Sequence, residues 1–235
     1  IITPLKDRFG SEIRTHYPLE VETEIAIMRQ EARPASIGDV IVTMPVFMER
    51  IIATFSQLAR NSSHVNQRSG VSVRLSVANY EILSANAVRR ALHAGERNVA
   101  PRVSDLDALA SSTGGKVEIE SLEEGRESVI LQQLISQAVV TVFREMAAGT
   151  SLADVVSAFE EGAIAHTGVD MSSAELINHL ATIPALRAPV LALVGGDESE
   201  PVVASAVEFV LEGLHLTKRL NKDASGSRAT YRSRS

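Results

Sequence analysis

The chain has 235 residues, 45% of them apolar and 22% charged, a composition that can bury a substantial core in one large domain or two small ones. Its net charge of -6 and sequence pI near 5.6 argue against a general nucleic-acid binder, which carries a basic excess. Cysteine is absent, which excludes disulfides, thiolate metal sites and thiol catalysis. No apolar run approaches the roughly 18 residues needed to span a bilayer and no signal peptide is visible, so the expected location is cytoplasmic, with no membrane partner.

Residues 1–18 open on Ile1-Ile2-Thr3-Pro4 and read as the end of something longer, with one short strand expected over residues 12–18. From residue 19 to 112 the pattern predicts three or four helices. Met44, Phe47, Met48, Ile51, Ile52, Phe55 and Leu58 form one helical stripe, with Thr43 as the expected N-cap and Pro45 in the first turn. Asn61 to Gly70 is a polar loop, and a further amphipathic helix follows with Val77, Tyr80, Ala87, Val88 and Ala91. Thr-Gly-Gly-Lys at 113–116 marks a turn, and Lys116 to Glu120 alternates like a strand.

A second helical group is predicted over 113–221. Leu131, Leu134, Ile135, Ala138, Val139, Val142, Phe143 and Met146 form its longest stripe, closed by Gly149. Ser151 with Asp154, and Ser172 with Glu175, read as capping boxes for two short helices. The last helix carries Val203, Ala206, Val207, Val210, Leu211 and Leu214. The tail 222–235 offers little to bury and is predicted to be disordered. With 4% aromatic residues and no tryptophan, the fold class expected is mostly α.

Most candidate chemistry dissolves on inspection. The six histidines (His16, His64, His93, His166, His179, His215) show no His-x-x-x-His spacing, so no metal site is assigned. Glu118, Glu120, Glu123, Glu124 and Glu127 suit a solvated turn and a helix N-terminus. Gly114-Gly115-Lys116 fails the phosphate-loop pattern, having Ala110 at the first fixed position and Val117 at the last. Two arginine segments remain: Leu5-Lys6-Asp7-Arg8-Phe9-Gly10, and Gly70-Val71-Ser72-Val73-Arg74 at a predicted helix start. A guanidinium so placed can meet a phosphate with a two-pronged hydrogen bond.

These two segments, about sixty residues apart, resemble the C-terminal half of an AAA+ ATPase, with strongest similarity to the magnesium-chelatase ATPase subunit and related MoxR-type ATPases. The resemblance covers about residues 1–112. It implies that Arg8 is an arginine finger entering the neighbouring subunit's nucleotide site, that Asp7 is its interface neighbour, and that Arg74 is the second sensor in a helical lid over 19–112. It further implies ATP and Mg2+ as cofactors, a homo-oligomeric ring, and a protein partner remodelled for metal insertion or as a chaperone client. Walker A, Walker B and first-sensor motifs do not occur, so the nucleotide-binding core is expected upstream of Ile1 and the chain alone is not expected to hydrolyse ATP. A porphyrin substrate does not follow from the resemblance.

Two other readings compete. A self-standing helical interaction module would use its arginines only as surface charges. A sigma-54 activator would need a C-terminal helix-turn-helix, against which the acidic last helix (Glu198, Glu200, Glu208, Glu212) counts.

Overall fold

The computed structural model describes residues 8, 10, 11, 13, 15–66, 70–114, 116, 117 and 126–234. Among them the chain is mostly helical, with two small sheets. The first helical group comprises α1 (Val21–Glu31), α2 (Val46–Asn61), α3 (Arg74–Ala94) and α4 (Leu109–Thr113). The predicted stripe of α2 is the one that is buried: Phe47, Met48, Ile51, Ile52 and Phe55 are all fully enclosed. Its start differs from the capping expectation. Pro45, not Thr43, occupies the N-cap, and the Thr43 amide instead donates to Val99 (2.9 Å) beside a two-residue parallel pairing of β1 (Ile41–Val42) with β2 (Asn98–Val99).

The second group comprises α5 (Arg126–Met146), α6 (Ala153–Glu160), β3 (Ala165–Gly168), α7 (Ser173–Ile177), α8 (His179–Thr182), α9 (Arg187–Leu193) and α10 (Glu200–Leu216). Helix α10 is enclosed on all sides from Pro201 to Leu214, as a run this apolar around its whole circumference requires. Ser172 and Glu175 do form the reciprocal capping box that opens α7: the Glu175 amide donates to Ser172 Oγ (3.2 Å), and the Ser172 amide to Glu175 Oε2 (2.7 Å). Ser151 and Asp154 do not. Leu152 is the N-cap of α6 and no side chain bonds there.

One continuous apolar core joins the two groups. Helix α2 lies along α5, and Phe47 stacks on Phe209 with ring centroids 4.7 Å apart and planes 5° from parallel. Phe143 meets the same Phe209 ring edge-on at 5.7 Å. Gly213 makes that approach possible, because a β-carbon there would fall inside the Phe143 ring.

The tail departs from the disordered expectation. Residues 220–233 form a hairpin, β4 (Leu220–Ser225) and β5 (Arg228–Ser233), and β5 also pairs with β3, giving the antiparallel order β3-β5-β4. The hairpin turns on Gly226 and Ser227, with Gly226 in the left-handed region at φ +60°. Burial of Tyr231 and Ala229 on one face supplies what the polar composition concealed. The strand expected over 12–18 is not seen among its described members, 13 and 15–18. Lys116 and Val117 also lie outside any strand, and the rest of the 116–120 strand lies outside the described residues.

Candidate functional site

Arg74 is the first residue of α3, as the sequence predicts, and its side chain is exposed. The first turn carries no acidic residue, and its N-cap, Val73, makes no side-chain hydrogen bond, so the guanidinium and the positive end of the helix dipole lie together. The Arg74 amide reaches Ser72 Oγ at 3.3 Å, and the Leu75 amide the Ser72 carbonyl at 2.9 Å, which fixes the turn leading into the helix. Among the described residues the Arg74 guanidinium has no hydrogen-bond or ion-pair partner. This combination suits an anionic group such as a phosphate.

Beneath this exposed turn lies a buried polar cluster. Arg60, near the end of α2, donates through both terminal nitrogens to the two oxygens of Glu24 on α1, each at 2.6 Å. Glu24 is wholly enclosed and also accepts from the Ser76 hydroxyl on α3; Ser76 Oγ in turn lies 2.7 Å from Ser56 Oγ on α2. Arg60 Nε donates to the Val71 carbonyl at 2.9 Å. Its guanidinium carbon stands 5.3 Å from the centroid of the Tyr17 ring, a cation–π approach. Three helices therefore meet at the Glu24 carboxylate, and Arg60 links it to the Val71 carbonyl just before Arg74.

The sequence reading did not find this cluster. Its partners lie 36 and 52 positions apart, beyond any local spacing. One signal was available: Glu24 falls four residues before Met28 on the buried face of α1, where an acid requires a partner.

Arg8 is exposed in a turn, and no hydrogen bond or ion pair joins it to Arg74 among the described residues. Asp7 lies outside the described residues. Two hollows lie elsewhere: one of about 740 Å3 runs along α5 past Val129, Gln132 and Val140, and one of about 530 Å3 lies by Glu96, Ser173 and Pro201. Neither includes Arg8 or Arg74, and both arginines are exposed.

A second buried cluster joins the two helical groups. Asp105 accepts from the Arg102 amide (2.7 Å), Arg90 Nη2 (2.9 Å) and Asn86 Nδ2 (2.7 Å). Arg102 donates to the Met171 carbonyl (2.7 Å) and Ser173 Oγ (3.0 Å). Its burial, and then the neighbouring Arg90 charge, lower its pKa to about 10. Burial likewise raises that of Glu208, which accepts from the Ser104 amide at 2.7 Å. Its charged groups, Arg90, Arg102, Asp105 and Glu208, are all buried, and we assign the cluster a structural role.

Among the described residues no group of three or more histidines and carboxylates could hold a metal ion, and no single helix is long and apolar enough to cross a membrane. Comparison with protein-family models, curated proteins and solved structures gives no match to this chain.

Proposed function

We propose that this chain is the C-terminal part of a ring-forming AAA+ ATPase similar to the magnesium-chelatase ATPase subunit, coupling ATP hydrolysis to the remodelling of a partner protein. The observation that supports it is the presentation of Arg74: an exposed guanidinium, without a partner among the described residues, on a helix first turn without carboxylates, above the buried cluster of Glu24, Arg60 and Ser76. A rigid mount under a free cation is what an arginine needs if it is to read the presence of a γ-phosphate and move a helical lid in response.

ATP supplies the phosphoanhydride whose cleavage drives such a motor. In this chain Arg74 would contact the phosphate chain from the lid, and Arg8 would neutralise charge at the neighbouring subunit's site. Magnesium and the remaining nucleotide contacts would belong to a core outside these 235 residues.

The test uses the full-length protein. Arg8→Ala should lower ATP turnover by the assembled ring by about a thousandfold or more, the usual worth of an arginine finger, with ATP binding nearly intact. Arg74→Ala should lower turnover and weaken ATP-induced assembly. Wild-type turnover in both variants would overturn the reading. The alternative, a helical interaction module without nucleotide chemistry, draws support from the continuous core running from Ile25 to Tyr231. It predicts that no property of the protein responds to nucleotide.

A further inference from the structure

We propose that Arg60 is a positioning residue for Arg74, tying the chain around Tyr17 to the first turn of α3, an inference that rests on the nucleotide role of Arg74 given above. Arg60 uses its whole guanidinium. The two terminal nitrogens are held by Glu24 at 2.6 Å each, Nε by the Val71 carbonyl at 2.9 Å, and one flat face covers Tyr17 at 5.3 Å. The side chain is only 10% exposed, so these contacts act with little competition from water.

The contacts bracket Arg74 along the chain. On one side, three residues before it, Arg60 fixes Val71. On the other, two residues after it, Glu24 fixes Ser76. Tyr17 closes the arrangement from outside: Gly70 lies against its hydroxyl with φ +67°, and a β-carbon on Gly70 would overlap that oxygen. Tyr17 therefore packs against both Arg60 and the Gly70–Val71 turn, the two contacts through which a shift of its segment would be passed to the residue that begins α3. A lysine in place of Arg60 keeps the charge but has no planar fork, so it cannot hold Glu24, Val71 and Tyr17 at once.

The experiment is a double-mutant cycle in the full-length protein, reading ATP turnover at saturating nucleotide, the KM for ATP, and the thermal midpoint. Arg60→Lys alone should lower kcat by about 10- to 100-fold, the scale of a displacement near 1 Å, with a smaller change in KM. Added to Arg74→Ala it should lower kcat no further, within about twofold, because both act through one contact. A purely structural Arg60 would instead give losses that multiply, tracking the fall in thermal midpoint, and that result overturns the inference; so does wild-type kcat in Arg60→Lys. If Arg60→Lys does not fold, Tyr17→Leu, which leaves the Glu24–Arg60 pair in place, carries the same cycle with the same two outcomes. Wild-type turnover in Arg74→Ala overturns the nucleotide reading itself, whereas a normal loss there with multiplying effects at Arg60 overturns only the coupling.

Discussion

Glu24 and Arg60 face each other through two 2.6 Å hydrogen bonds, with the carboxylate wholly enclosed and the guanidinium nearly so. Burying such a pair costs solvation on both sides, and what it returns depends on both partners being present. Glu24→Ala leaves Arg60 charged and unpaired inside the protein. We expect a loss of about 3–5 kcal/mol in urea denaturation. Replacing both residues by methionine should recover much of that loss, because the orphaned charge is gone. The exposed Arg228–Asp170 pair is the control, and Asp170→Ala should leave the urea midpoint unchanged. Equal effects at the two pairs would show that burial does not govern the first.

Gly213 sits within α10, pressed against the Phe143 ring. Gly213→Ala improves helix propensity but must push that ring away from Phe209, so a net destabilisation of about 1–3 kcal/mol is expected. At Gly149 no neighbouring atom lies within 4 Å of an added β-carbon, and Gly149→Ala should be neutral or slightly stabilising. Calorimetry of the two variants separates crowding from propensity.

The hairpin at the C-terminal end is held through Tyr231, which is 1% exposed. Its hydroxyl donates to Glu212 Oε2 at 2.5 Å, and Lys222 reaches the same oxygen at 2.7 Å. Burial first, and then the Glu212 and Glu208 charges, push the phenol pKa up, so Tyr231 stays protonated as a donor. Tyr231→Phe should cost about 1.5–3 kcal/mol, the worth of a hydrogen bond to a charged group. Tyr231→Ala should cost about 3–5 kcal/mol by analogy with other buried aromatics and, by undocking the hairpin backbone, speed tryptic cleavage after Lys222 and Arg228. Rapid tryptic cleavage of the wild-type hairpin would contradict its docking.

His179 packs inside the second helical group with Nε2 at 2.7 Å from the His166 carbonyl oxygen, to which it donates in the tautomer protonated there. Burial lowers its pKa below the ordinary 6.5, and the nearby His166 adds to the effect, against the opposing His166 carbonyl bond. The unfolded chain therefore binds more protons here than the folded one. Stability should fall as pH drops from about 6.5 through the lowered folded value, and should not return below it. Thermal midpoints between pH 7.5 and 5 would show this slope, and His179→Gln should flatten it. An unchanged slope in that variant would assign the pH response to other groups.

How much of this was legible in the sequence follows from distance along the chain. The buried face of α2, the start of α3 at Arg74, the long stripe of α5 and the Ser172–Glu175 capping box depend on residues three or four positions apart, so periodicity and local hydrogen-bonding chemistry determine them. Thr43 and Ser151 had the same local chemistry and did not become caps. The Thr43 amide was drawn into the β1–β2 pairing instead, and Leu152 took the cap position at α6. The hairpin at 220–233 reads as polar tail because only Leu220, Ala229 and Tyr231 are strongly buried; its order comes from α10 and β3, which meet it in space. The brace beneath Arg74 is tertiary altogether. The sequence by itself placed an arginine at a helix start. Only the fold, by carrying Glu24, Ser56, Arg60 and Ser76 from three helices to one point, decided that the helix would be held rigidly there, because a buried carboxylate must find its donors wherever packing brings them.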